Sequence, residues 1–265
     1  MSLMSQRQMP PVVLIFPGQG AQHPRMAAGL YGHQETFTVW MDRAFRLLAE
    51  DGPRLRREWL AETPSRAFDD VTVAQPLLYA VNHALGRMVL GWGIRPVALL
   101  GHSVGELAAA TLAGILDLAD GVRLMRERLI RFGSTPPGGM LAVAASVEEI
   151  ADLLGPGGVH LAAVNAPRQL LLAGESLPLS NAARKLEDRD IICRAVLARQ
   201  AFHSPVVNGA VLATLDGFRS VPLRPPETTV YSAYTQGVLT DGQALDPDFW
   251  AWQAARTVYL SLIHI

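Results

Sequence analysis

The sequence predicts an α/β protein in which a small unit of strands and helices interrupts a larger domain built on a parallel sheet. Three observations point there. Short apolar runs alternate with longer amphipathic ones through the first half, the rhythm of βαβ units. Composition then shifts at Ser134-Thr135-Pro136-Pro137-Gly138-Gly139, a linker signal, and the order of runs changes beyond it. The 265 residues are 49% hydrophobic and 18% charged, which supplies a large buried core and excludes wholesale disorder.

Taken in order, residues 12–16 read as a buried strand ending in the tight turn Pro17-Gly18-Gln19-Gly20. Residues 35–49 and 73–92 read as helices, and 97–100 as a second buried strand stopping at Gly101. Residues 106–114, rich in Ala and Leu, and 118–132 continue as helices. Past the linker come a strand (140–145), a helix (147–154), two strands (159–164 and 169–173), a helix (179–187) and a strand (191–197). That is the β-α-β-β-α-β order of a ferredoxin-like unit. The chain returns through a helix (206–219), a Pro-rich turn (222–226), a strand (228–232) and a last helix from Pro247. The larger subdomain is therefore expected over residues 1–137 and 204–265, and the small one over 138–203.

Charge and cysteine content narrow the function classes. Lys plus Arg is 23 against 24 for Asp plus Glu. Affinity for phosphate backbones draws on excess cations, so no nucleic acid is expected as a partner. The lone Cys193 rules out an internal disulfide and a cysteine-rich metal site, and reads as a small buried hydrophobe. No apolar run reaches 18 residues, and the run at 12–16 is too short for a signal peptide. The expectation is a cytoplasmic protein without membrane contact. Met1-Ser2-Leu3 ahead of Met4 reads as an added leader.

Gly101-His102-Ser103-Val104-Gly105 matches G-x-S-x-G between a predicted strand and a predicted helix. A serine on such a turn presents its hydroxyl outward, and the flanking glycines keep Cβ atoms from crowding it. The next amide, from Val104, opens a helix and can stabilise an oxyanion. The alternative is a Gly-rich turn in which Ser103 merely caps the helix. An activated serine needs a base. His23 and His33 fall in or near loops, His83 on a helix, His160 at a strand start and His264 at the terminus. His102 adjoins the serine, with its side chain expected to point away. His203 follows the last strand of the insert, where a histidine can equally be structural. The chain order Ser then His suits an α/β-hydrolase-like larger subdomain.

Several segments together resemble the malonyl-CoA:acyl-carrier-protein transacylase family and the acyltransferase domains of polyketide synthases. Residues 16–22, FPGQGAQ, resemble its opening FPGQGxQ, and 101–106, GHSVGE, its GHSxGE. Residues 120–128, DGVRLMRER, resemble DxxRLxxxR; 164–169, VNAPRQ, resemble VNxPxQ; and 201–205, AFHSP, resemble its base motif. Residues 230–235, VYSAYT, resemble VYSNVT, with Ala233 where Asn is common, a change expected to loosen local hydrogen bonding. Residues 248–258 resemble the terminal YW…PV stretch, after which family members run on through another strand and helix, covering an edge.

The resemblance implies roles. Ser103 would be the nucleophile and His203 the general base, oriented by a backbone carbonyl near Gln253 rather than by an acid. The amides of Gln19 and Val104 would form the oxyanion hole, with His102 in support. Arg128 would grip the free carboxylate of a malonyl group, bidentately as a lysine cannot. Helical periodicity alone leaves Arg126 and Arg128 equivalent, since each sits beside an apolar stripe; the motif register selects Arg128. Phe202 would exclude branched acyl groups and, like Val104, agrees with malonyl, whereas Gln200 departs from the usual His.

The reading is a malonyltransferase acting between malonyl-CoA and the phosphopantetheine thiol of an acyl carrier protein, in fatty-acid or polyketide synthesis. It is expected to be monomeric and to need no cofactor or metal. The starting Met and short leader favour a free-standing enzyme. An editing hydrolase of carrier-bound acyl groups is the alternative, and Arg128 argues against it. A non-catalytic module and the transacylase component of a malonate decarboxylase fit the residues less well.

Overall fold

The computed structural model describes residues 10–65 and 68–261. The expected leader, the segment beyond Ser261 and His264 lie outside the described residues. Val13–Phe16 (β1) leads through a 3-10 turn to the helices Glu35–Leu47 (α1), Gly52–Leu60 (α2) and Val71–Gly91 (α3). Ala98–Gly101 (β2), Val104–Leu112 (α4) and Leu118–Phe132 (α5) follow. The inserted unit runs through Gly138–Val143 (β3), His160–Ala166 (β4), Gln169–Glu175 (β5), Ser176–Glu187 (α6) and Cys193–Val196 (β6). The chain closes with Asn208–Leu212 (α7), Leu215–Arg219 (α8), Val230–Ser232 (β7), Gly237–Val238 (β8), Asp241–Ala244 (α9), Pro247–Trp252 (α10) and Val258–Tyr259 (β9).

Two sheets result. The larger unit carries the order β1-β2-β7-β8, with β1, β2 and β7 parallel and β8 antiparallel. Helix α3 is buried along nearly its whole length and packs on α1 and α4. The side chain of Asp70 caps it through the Thr72 amide at 2.9 Å. On the sheet's other face, Ile15, Leu100, Tyr231 and Val238 stand in register across all four strands, and Ile15, Tyr231 and Val238 are about half-exposed.

The small sheet has the order β6-β3-β5-β4-β9, antiparallel except for β9. Its first four strands follow the ferredoxin-like arrangement. Alternation along each strand feeds two cores. Leu141, Val143, Leu170 and Leu172 join Ile150, Leu153 and Leu186 on one face. Met140, Leu171 and Ala173 face the larger core on the other.

Several sequence expectations are corrected. Residues 148–153 form a 3-10 stretch rather than an α-helix, since a three-residue period stacks Ile150 over Leu153 in the small core. The single helix expected over 206–219 is broken, and the Thr214 hydroxyl bonds the Val211 carbonyl at 2.7 Å at the break. Gly138 and Gly139 belong to β3, not to a linker; a Cβ on Gly138 would lie 2.6 Å from the Gly174 carbonyl oxygen. Helix α2, with Pro53 in its first turn, was not anticipated. Strand β9, not anticipated and lying in the stretch 204–265 assigned to the larger subdomain, pairs parallel with β4 and extends the small sheet. Val258 is buried there with Ala163 and Ala233.

The turn from β2 into α4 is the tightest place in the fold. A Cβ on Gly105 would sit 2.1 Å from the Phe16 carbonyl oxygen, and one on Gly101 2.1 Å from the Glu106 nitrogen. Gly105→Ala should therefore destabilise the protein by roughly 3 kcal/mol or more, read as a lowered urea midpoint. An unchanged midpoint would contradict this packing.

Candidate active site

Ser103 occupies the turn with φ 54° and ψ −118°, a strained conformation for a residue with a side chain. The strain turns its hydroxyl out of the chain and onto His203, whose Nε2 lies 2.9 Å from Ser103 Oγ. His203 is itself at positive φ, 59°, with its amide donating to the Ala254 carbonyl at 2.7 Å. Its Nδ1 faces two backbone carbonyls, Gln253 at 3.1 Å and Arg256 at 3.0 Å. Two acceptors on Nδ1 fix the ring proton there, leaving the Nε2 lone pair toward the serine. Burial, aided by His102 and Arg128, pulls the His203 pKa down to about 3. The imidazole is thus neutral and free to accept a proton at physiological pH.

Ser103, His203, His102, Gln19 and Phe202 line one crevice with a cavity of about 30 Å³, bounded across the cleft by Met140, Leu171 and Val196 of the small sheet. Val104 is the first residue of α4, where backbone amides have no intrahelical acceptor. The Gln19 side chain accepts from Gln75 Nε2 at 3.0 Å. Its own amide nitrogen is buried with no hydrogen-bond partner among the described residues. Contrary to expectation, His102 does not turn away. It borders the crevice and meets Asn165 Oδ1 at 3.0 Å, joining the turn to β4.

Phe202 is buried edge-on against Phe132, centroids 5.1 Å apart. Arg126 and Arg128, equivalent by periodicity, go separate ways. Arg126 pairs with Glu50 and Asp51. The Arg128 guanidinium lies over the rings of Phe132 and Phe218, at 5.7 and 6.0 Å, and interacts electrostatically with Tyr234. Burial lowers its pKa, and among the described residues no carboxylate pairs with it. Gln200 is half-buried beyond β6 and is not among the residues that line the crevice. Cys193 packs at the edge of the small core, with burial raising its thiol pKa. Among the described residues there is no cluster of three His, Cys, Asp or Glu placed to hold a metal, and no helix long and apolar enough to cross a membrane.

Two residues of the site escaped the sequence reading. Glu106 is fully buried; its carboxyl accepts from the Ala233 amide at 3.1 Å and from Gln253 Nε2 at 3.2 Å. It ties together β7 and the segment that holds His203. The Ala233 carbonyl in turn accepts from the Tyr259 amide at 2.8 Å, so the backbone maintains the bonding whose loss Ala233 suggested. The lone acid in an otherwise apolar helix was the available signal. Tyr234 is the second: its ring lies 6.1 Å from that of His203, and its hydroxyl is near enough to Ser103 to be influenced by it. Nothing in the local sequence marked it.

A serine hydroxyl bonded to a neutral imidazole, beside amides at a helix start, defines a site suited to moving acyl groups through a serine ester. The comparisons agree on the class. The family described as acyl transferase domain matches residues 13–261, and the chain belongs to it. Over 248 residues the chain is 34% identical to part of a phenolphthiocerol/phthiocerol polyketide synthase from Mycobacterium tuberculosis. That match covers 93% of this chain but spans only 16% of the relative's length. Among solved structures it resembles the acyl transferase domain of SpnD in complex with 2-(pent-4-yn-1-yl)malonyl: TM-score 0.89, 30% identity, 97% of this chain and 62% of that one. It also resembles a malonyl CoA-acyl carrier protein transacylase from Burkholderia pseudomallei, with TM-score 0.79, 26% identity and coverage of 95% and 86%.

Two titrations follow from this geometry. The acid limb of Ser103 acylation should fall far below the ordinary imidazole value of 6.5; a limb near 6.5 in the rate profile would show His203 to be solvated. Burial raises the Glu106 carboxyl to about 8 from 4.5, against the lowering effect of its bonds from Ser232 and Ala233. A raised folded pKa contributes stability that is whole below 4.5 and lost as pH rises through 8. Glu106→Gln should flatten that decline in urea midpoints measured across the interval; an equal slope in both proteins would refute it.

Proposed function

We propose that the chain transfers a malonyl group from CoA to the phosphopantetheine thiol of an acyl carrier protein through an ester on Ser103. The observation that carries this reading is the pairing of the Ser103–His203 hydrogen bond with a nearby, largely desolvated guanidinium, Arg128, that no carboxylate among the described residues pairs with. A buried unpaired cation is costly, and a substrate carboxylate offsets that cost.

In the first half-reaction Ser103 Oγ attacks the thioester carbonyl and its proton passes to His203 Nε2. The amides of Gln19 and Val104 receive the oxyanion. The C–S bond then breaks, and CoA leaves as the thiol with the proton from His203. In the second half the carrier thiol gives its proton to His203 and attacks the ester, and Ser103 Oγ leaves and recovers that proton. No metal or cofactor is needed. Arg128 orients the free carboxylate, and Phe202 fills space that a substituent at C2 would require. The carrier protein would approach across the cleft between the two sheets. The malonyl-type group bound to a similar acyl transferase domain, and the transacylase name of another relative, support the substrate class.

The test is intact-protein mass after brief mixing with malonyl-CoA, acetyl-CoA or methylmalonyl-CoA. A malonyl adduct is expected on the wild type and not on Ser103→Ala. Arg128→Gln should slow malonyl loading roughly ten- to hundredfold, the worth of a charged hydrogen bond, without slowing acetyl loading. A folded protein that acquires no adduct but cleaves acyl thioesters would turn the assignment to hydrolysis.

A further inference from the structure

The space over Ser103, about 30 Å³, amounts to a single water's share of liquid volume. His203 also borders a second cavity, of about 550 Å³, lined by Leu161, Tyr234, Ala255, Arg256 and Tyr259 among others. His203 borders both spaces, and Tyr234 stands beside it at the edge of the larger one. The Tyr234 ring lies against His203 with an interplanar angle of 41°, and its hydroxyl is near enough to Ser103 and Arg128 to be influenced by both. Its main chain is fixed as well. The Tyr234 amide donates to Ser232 Oγ at 3.2 Å, and the preceding amide is held by Glu106.

A malonyl ester on Ser103 with its carboxylate at Arg128 would set C2 between those two residues. Phe202, packed on Phe132 beneath the guanidinium, flanks that position on one side. Tyr234, near both Ser103 and Arg128, flanks it on the other. We propose that Tyr234 is a specificity-determining residue whose ring walls the acyl site off from the 550 Å³ cavity and so limits the substituent at C2. This rests on the malonyl-transfer reading above. The wall is steric, so it depends on the size of the side chain and not on its hydroxyl.

The experiment compares initial rates of adduct formation with malonyl-, methylmalonyl- and ethylmalonyl-CoA for wild type, Tyr234→Val, Tyr234→Leu and Tyr234→Phe. Removing the ring should raise the methylmalonyl-to-malonyl rate ratio about tenfold and make ethylmalonyl detectable. Tyr234→Phe should keep the wild-type ratio. Should Tyr234→Val fail to fold, Tyr234→Leu, with more apolar bulk, carries the comparison. Folded variants lacking the ring that load malonyl at the wild-type ratio would overturn the proposal. So would a shift in Tyr234→Phe as large as that in Tyr234→Val. A wild type that takes no acyl group from any donor would instead refute malonyl transfer itself.

Discussion

The crowded turn between β2 and α4 is the constraint from which the site is built. Ser103 can hold its strained backbone only because Gly101 and Gly105 let the Glu106 backbone and the Phe16 carbonyl approach closer than any Cβ would permit. The same crowding brings the Pro17–Gly20 turn, and with it Gln19, alongside the helix start. Strain at one residue is thus held in place by the parallel pairing of β1 with β2 and by the helix packed behind it. The nucleophile, the amide of Val104 and the neighbouring turn are positioned by one local geometry.

Electrostatics at the site follow from exclusion of water rather than from ion pairing. His203, Arg128 and Glu106 are all shifted chiefly by burial, and each shift favours the uncharged form. For His203 this yields an imidazole that is neutral at rest, with its Nε2 lone pair unoccupied. For Arg128, whose ordinary pKa is so high that a lowered one still leaves it charged, the outcome is a cation without a carboxylate partner among the described residues, near enough to His203 to act on its pKa. For Glu106 it yields a carboxyl able to anchor Gln253 and Ala233 without placing a fixed negative charge behind the imidazole. That difference matters, because an anion there would favour the imidazolium form.

The chain announced its architecture through periodicity, and its chemistry through segments whose meaning is local. The turn at Ser103 is legible because glycines at 101 and 105 serve the turn itself. The small unit is legible because its strands alternate. What escaped depends on distance in space. Glu106 acts through residues 127 and 147 positions away. Tyr234 comes up against His203 only when residues 31 apart in sequence are brought together by the fold. Arg126 and Arg128 share a helix and a composition, and only tertiary packing sends one to Glu50 and the other onto the rings of Phe132 and Phe218. The pairing of β9 with β4 likewise had no local signal, since a two-residue strand has no period to read.

That last pairing has a mechanical side. The carbonyls that hold His203 belong to Gln253 and Arg256, and two residues later the chain is stitched into the small sheet by Val258 and Tyr259. Thr257 adds a bond to the Leu161 carbonyl at 2.7 Å, and Tyr259 reaches back to Ala233 beside β7. The segment is a strap fastened to both halves of the molecule, with the imidazole hung from its middle. The halves cannot shift against each other without tugging on that strap. Any movement wide enough to open the crevice also changes the reach of the base, so access and proton transfer form one mechanical degree of freedom.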